Sequence, residues 1–177
     1  MSDDVILVDA DDRAIGRADK LDAHRRGLKH RAISALVKNR AGELLIQRRH
    51  PAKYHSGGLW ANACCSHPRP GEDTADAARR RLREEMGLDC ALAPLFTYSY
   101  RERVSNDLIE NEIVHVFGGE HEGPARPDPA EVSETKWIAF DDLVAELTGG
   151  PETYAVWFRQ YVAAHGGLIA GWCAPQR

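Results

Sequence analysis

The segment from Asp73 to Gly87 is the strongest local constraint on how this chain can fold. Ala75, Ala78, Leu82 and Met86 recur at helical spacing, so Asp73 to Met86 is expected to form an amphipathic helix with one face on a core. Asp73 or Thr74 can cap its start, and Gly87 can take the left-handed conformation that stops it. At about 100° per residue, Glu85 falls on the flank of the apolar stripe, while Glu84 points almost opposite to Leu82. Glu85 is therefore the carboxylate expected to face protein. On its own, a Glu-Glu pair beside arginines also reads as a solvated acidic helix end.

Around this helix the pattern is mostly of strands. Val5 to Val8 reads as a short strand stopped by Asp9, Asp11 and Asp12. Ile33 to Val37 and Glu43 to Arg48 flank Asn39-Arg40-Ala41-Gly42, which suggests a hairpin. Leu92 to Tyr100 and Leu108 to Phe117 look like longer strands, and Lys136 to Ile138 a short one. Pro124 to Pro129 reads as a loop and Phe140 to Leu147 as a short helix. A last helix is expected from Pro151 to Ala164, closed by Gly166-Gly167. Irregularly mixed strands and helices point to an α/β or α+β fold with a mixed sheet.

The chain's 177 residues suit one domain with a sizeable core. A net charge of −4 gives no general field to hold nucleic acid or an acidic membrane surface. No apolar run approaches the roughly 18 residues of a membrane span, and the start lacks the basic and apolar parts of a secretory signal. Cys64, Cys65, Cys90 and Cys173 form no disulfide framework, so reduced thiols in the cytoplasm are expected.

The reactive residue types cluster in three places. Cys65 precedes His67 by two positions. His24 and His30 lie six apart in a polar stretch read as loop, just ahead of a strand. In the strand at 108–117, alternation puts Glu110 and Glu112 on one face with Val114 and Val116. Two carboxylates side by side near aliphatic neighbours are costly unless paired or metal-bound, although an edge strand would simply solvate them. Three histidines and two glutamates would suit manganese or magnesium in an octahedral-type site, and zinc could also occupy it. His50 and His55 flank a basic loop and carry less weight. His115 falls on the opposite strand face, and His121 and His165 read as loop residues.

From Ser66 to Leu88 the order of residues resembles the Nudix box, with Glu72, Arg80, Leu82, Glu84, Glu85, Gly87 and Leu88 at its positions. Ser66 replaces the box's opening glycine. Arg81 stands where Nudix hydrolases have a metal-binding carboxylate, which argues for a retained scaffold without the hydrolytic use. Over roughly residues 4 to 165 the chain resembles the type 1 isopentenyl-diphosphate isomerases. The matching pieces are Lys20, His24 through His30, Gln47-Arg48-Arg49, Lys53, Gly58 to Asn62, Cys65-Ser66-His67-Pro68, the box, Tyr98 to Arg101, Glu110 to Ile113 and Trp157. The interval from His24 to His30 is one residue shorter than in some bacterial members, and Ser66 follows the cysteine where glycine is common.

The resemblance implies a single Nudix-type domain, 1–177, with a mixed sheet between helices, a core at about 30–165 and an N-terminal segment that contributes metal ligands. It also implies interconversion of isopentenyl and dimethylallyl diphosphate through a tertiary carbocation. Cys65 and Glu112 would move the protons, Tyr100 would orient Glu112, and the Trp157 ring would lie near the cation. His24, His30, His67, Glu110 and Glu112 would hold manganese, magnesium or zinc, and Glu85 a magnesium bridging the diphosphate. Lys20, Arg49, Lys53 and Arg81 are the candidate diphosphate contacts. The expected partner is a small isoprenyl diphosphate, with no nucleic acid or membrane, and the chain is expected to be a monomer. Two other readings compete. A Nudix hydrolase of a nucleoside diphosphate derivative would want a carboxylate at 81, and a zinc-stabilised binding module using Cys64, Cys65 and His67 would want a second ligand pair nearby.

Overall fold

The computed structural model describes residues 3–174. Its elements are β1 (Asp4–Val8), β2 (Ala14–Asp19), α1 (Lys20–Arg26), β3 (His30–Lys38), β4 (Leu44–Arg49), β5 (Trp60–Asn62), β6 (Cys64–Ser66), α2 (Thr74–Met86), β7 (Leu92–Arg103), β8 (Ile109–Glu120), β9 (Val132–Ile138), α3 (Phe140–Gly149) and α4 (Val156–Cys173). The expected mixed sheet between helices is present. β3 runs parallel to β8 along its whole length, and its other edge is shared in turn by β1, β6 and β4. β7 pairs antiparallel with β8, and β4 pairs with β5 and β9.

Side-chain alternation on β3 sorts the core into two layers. Ala32 and Leu36 face Val114, Trp157, Phe158 and Tyr161, the layer under α3 and α4. Ile33, Ala35 and Val37 face the opposite layer, under α2. In α2 the Asp73 carboxylate accepts from the amides of Ala75 and Asp76, and Gly87 ends the helix at φ 64°. A Cβ at Gly87 would lie 2.4 Å from the Arg126 carbonyl oxygen, so packing as well as φ demands glycine there. The buried stripe contains Ala77 in addition to Ala78, Leu82 and Met86, while Ala75 is only half-buried.

Several elements differ from the sequence expectation. The stretch read as a polar loop around His24 is helix α1, capped by Asp19 and ended by Gly27 at φ 62°. Its seven residues are too few to show a period. The hairpin turn forms, but β3 and β4 share only the Lys38–Leu44 pair before each turns to other neighbours. Pro151–Thr153 is a single 3-10 turn, and the last helix begins at Val156. It also runs through Gly166 and Gly167, with a kink at His165 (φ −126°). Burial of Ile169 and Cys173, and a 2.7 Å hydrogen bond from Lys38 Nζ to the Trp172 carbonyl, outweigh the roughly 1 kcal/mol that each glycine costs a helix. Among the described residues no helix is long and apolar enough to cross a membrane.

Candidate active site

Strand register builds the centre of the site. His30 on β3 lies beside Glu112 on β8, and Glu112 lies beside Tyr100 on β7. His24 enters from α1 and His67 from just beyond β6. His24 Nδ1 is 2.7 Å from the Lys20 carbonyl oxygen and His30 Nδ1 is 2.8 Å from that of Leu28. A ring nitrogen against a carbonyl carries the proton, so in both rings Nε2 keeps the lone pair. Those lone pairs converge. His24 Nε2 is buried with no partner, and His30 Nε2 is 3.2 Å from His67 Nε2. Glu112 Oε1 is 3.1 Å from His67 Nε2, 3.3 Å from His30 Nε2 and 3.9 Å from His24 Nε2.

Donor atoms of His24, His30, His67 and Glu112 all lie within 4.8 Å of one another, so one divalent ion can bridge them. An orphaned buried imidazole nitrogen and two facing lone pairs are unfavourable without a cation, so these residues fit one. Burial pushes His67 down to about 4 and lowers His24, which leaves neutral, ligand-ready rings. Burial would raise Glu112, but the His30 and His67 rings beside it outweigh that and hold the carboxyl well below its ordinary range. Glu110 goes the other way, raised by burial and by the Glu112 charge.

Tyr100 ties the two carboxylates together, its hydroxyl 3.1 Å from Glu110 Oε2 and 3.0 Å from Glu112 Oε2. The other Glu110 oxygen is 3.4 Å from Nε2 of His55, a buried ring that also meets His24 and the Trp157 indole. In the sequence His55 only flanks a basic loop and carries little weight. The Gly57-Gly58 pair after it is the one sequence hint of a tightly folded loop. Asp12 binds His115 on the far face at 2.7 Å, and His165 stacks on Phe96 at the α4 kink rather than in a loop.

Cys65 faces the same cavity as Glu110, Glu112, Tyr100 and Trp157, while Cys64 is packed under α2. The Cys65 sulfur is 3.0 Å from Ser34 Oγ and 3.3 Å from Asn62 Oδ1. Asn62 is itself fixed by donating to Ser34 Oγ and to the Ala35 and Cys64 carbonyls, and it receives the Trp157 indole N–H at 3.3 Å. Burial pushes the Cys65 thiol up to about 12 against the opposing Ser34 hydrogen bond. Ser34 and Asn62 had no assigned role in the sequence reading, because only the β3–β6 register puts Ser34 opposite Cys65.

The candidate anion contacts Lys20, Arg49, Lys53 and Arg81 line this cavity together, beside Glu85 and Glu131. Each has a local partner. Lys20 pairs with Asp3 at 3.0 Å, Lys53 with Glu131, and Arg81 with Glu84, Glu85 and, at 3.7 Å, Glu131. Arg49 donates to the His55 carbonyl at 3.2 Å. Glu85 is 3% exposed and Glu84 points outward, as the helical geometry requires. Arg81, standing where a box carboxylate would be, engages one oxygen of Glu85.

Residues 28–161 match the NUDIX domain. Isopentenyl-diphosphate delta-isomerase 2 of Aromatoleum aromaticum is 52% identical over 89% of this chain and 83% of its own length. The isopentenyl-diphosphate delta-isomerases of Burkholderia multivorans (51%, covering 89% and 90%) and Pectobacterium atrosepticum (46%, covering 88% and 87%) are similar. Among solved structures, DR0079 of Deinococcus radiodurans superposes with a TM-score of 0.76 at 20% identity over 90% of this chain and 97% of its own. A MutT protein of Methanosarcina mazei superposes at 0.64, with 20% identity over 76% and 91%. The structural likenesses speak for the fold alone; with half its residues shared along nearly its full length, the chain belongs to the isopentenyl-diphosphate delta-isomerase family of Nudix-domain proteins.

Proposed function

We propose that this chain interconverts isopentenyl and dimethylallyl diphosphate in isoprenoid biosynthesis, with Cys65 and Glu112 as the proton-transfer pair. The observation that carries this reading is that Cys65, Glu112 and the Trp157 ring line one cavity with Lys20, Arg49, Lys53 and Arg81 at hand. The substrate's alkene needs an acid at its terminal methylene carbon and a base at the carbon next to the oxygen-bearing one. Cys65, kept as a thiol by burial, gives its proton to the terminal carbon, and the π electrons form the new C–H bond. The tertiary cation that results lies by the Trp157 face. Glu112, kept ionised by its histidines, then removes a proton from the other carbon, whose C–H electrons become the new double bond. The pair starts the reverse reaction with the proton on Glu112, and Tyr100 keeps that carboxyl in line. Solvent exchange resets the two groups between turnovers.

A divalent ion on His24, His30, His67 and Glu112, which converge, with Glu110 alongside as the fifth ligand that the resemblance implies, would fix the Glu112 carboxylate and offset charge, and magnesium at Glu85 would shield the diphosphate oxygens. Lys20, Arg49, Lys53 and Arg81 supply the N–H donors for those oxygens. The hydrolase reading is not favoured, since Arg81 stands where that chemistry needs a further metal-binding carboxylate. The zinc-module reading fails on geometry. Cys64 packs under α2 while Cys65 faces the cavity, and among the described residues no cysteine joins a metal-competent group. Incubation with isopentenyl diphosphate and magnesium in deuterated water tests the proposal. Deuterium should enter dimethylallyl diphosphate, and Cys65→Ala and Glu112→Gln should abolish the exchange. Release of inorganic phosphate without isomerisation would reject it.

A further inference from the structure

His55 is a buried imidazole that the proton-transfer scheme does not use, on a loop built with unusual care. The backbone is tied at three successive residues. Asn106 donates to the Tyr54 carbonyl at 2.8 Å, Arg49 to the His55 carbonyl at 3.2 Å, and the Ser56 amide donates to Ser105 Oγ at 2.8 Å. Ser56 itself sits at φ 52°, and a Cβ at Gly57 would lie 2.4 Å from the Pro51 carbonyl oxygen. Left-handed backbone at a non-glycine residue is unfavourable and persists only where its surroundings impose it. Here the imposed conformation delivers one ring into the cavity.

The ring's position defines what it can do. His55, His24 and Glu110 have ligand atoms within 4.8 Å of one another, but His55 does not group with His30, His67 and Glu112. Neither His55 nor Glu110 belongs to the group His24, His30, His67 and Glu112, so Glu110 has to be drawn toward an ion seated there in order to ligate it. The route from ring to ion runs through Glu110, whose Oε1 is 3.4 Å from His55 Nε2 and whose Oε2 is 3.1 Å from the Tyr100 hydroxyl. His55 Nδ1 is 3.2 Å from Ser56 Oγ, a hydroxyl able to donate to it, which leaves the N–H on Nε2 facing the carboxylate. Each carboxylate oxygen has a second lone pair, so Glu110 can be held by His55 and Tyr100 and still ligate a cation.

We propose that His55 is a positioning residue of the divalent-metal centre, holding Glu110 so that its carboxylate meets the ion. This rests on the metal-binding reading given above. Partners of this kind raise metal affinity by fixing the ligand, and their loss costs about 10–100-fold.

The test is titration of chelator-treated enzyme with Mn2+, the free ion counted by its electron paramagnetic resonance signal. His55→Leu, which keeps bulk but no donor, should raise the Mn2+ dissociation constant about 10–100-fold. Its metal-free melting temperature should stay within about 3 °C of the parent. His55→Gln, whose amide can still reach Glu110, should recover most of the affinity. Should His55→Leu not fold, His55→Asn, too short to reach, takes its place. Parent-like affinity in the Leu variant, or equal weakness in Leu and Gln, overturns the role of His55 alone. A parent enzyme that binds Mn2+ no better than Glu112→Gln brings down the metal centre itself, and His55 with it.

Discussion

The guanidinium carbon of Arg49 lies 5.2 Å from the centroid of the Trp157 ring. Both side chains are almost fully buried, and the indole N–H is committed to Asn62. The ring is thus pinned from its edge and already serves one cation. Cation–π attraction in a desolvated setting is worth about 1–2 kcal/mol, or roughly 5–30-fold in rate if it acts only on the carbocation. Trp157→Phe keeps a π face and should lower kcat by no more than that factor. Trp157→Leu should lower kcat further, with KM for isopentenyl diphosphate little changed in either. Steady-state kinetics of the two variants check this, and a loss expressed only in KM would assign Trp157 to packing.

Tyr100 offers a single hydroxyl proton to two carboxylates at nearly equal distance. Removing it leaves Glu110 and Glu112 facing each other without a mediator in a buried place. Tyr100→Phe should therefore lose about 10–100-fold in kcat while the fold survives. Circular dichroism together with the deuterium-incorporation rate decides it. A parent-like rate would remove Tyr100 from the mechanism.

Burial, opposed by the Ser34 hydrogen bond, puts the Cys65 thiol at about 12. At pH 8 its thiolate fraction is then only about 10⁻⁴, and the thiolate is the species that alkylates. Iodoacetamide should reach half-exposed Cys90 first, and labelling of Cys65 should still be rising at pH 10. Peptide mapping by mass spectrometry measures both. A Cys65 labelling curve that levels off below pH 9 would contradict the assignment.

Glu72 receives two guanidinium hydrogen bonds from Arg80, at 2.7 and 2.8 Å, and the Arg69 amide at 2.8 Å. The Arg80 hydrogen bond lowers its carboxyl below the ordinary 4.5. A depressed carboxyl stabilises the fold above the unfolded value, and that contribution is lost as pH falls through the folded one. Glu72→Gln should therefore cost about 1 kcal/mol at pH 7, and the gap to the parent should close as pH drops below 4.5. Urea unfolding at pH 7, 5 and 3.5 reads the difference, and a gap that widens on acidification would reverse the argument.

The legible parts of this fold were those with a long, clean period. α2 shows helical spacing, a cap and a glycine stop, and β8 shows an alternation that placed Glu110 and Glu112 on one face. α1 and β2 were missed because one is a single short helix and the other an exposed edge strand with no buried face to mark it. α4 was cut short at Gly166-Gly167, since local propensity knows nothing of the burial awaiting Ile169. The same distinction holds within the site. Cys65, His67 and the glutamates are conspicuous residues, but the row His30–Glu112–Tyr100 and the Ser34–Cys65 contact exist only through strand register. His55 is brought in by loop hydrogen bonds to residues some fifty positions away, Ser105 and Asn106, which no local pattern encodes.

β3 and β4 share a single rung, Lys38–Leu44, and then part. The leaf around β3 holds His30, Ser34, Cys65, Glu110, Glu112 and Tyr100, and the leaf around β4 leads into Arg49 and Lys53. On the proposed reading, proton handling belongs to the leaf around β3, while the headgroup contacts come from Arg49 and Lys53 at and beyond β4 and from Lys20 on α1 and Arg81 on α2. The loop beyond β4 then joins the two, carrying Lys53 to the headgroup side and His55 to Glu110, so exchanging it would disturb both at once.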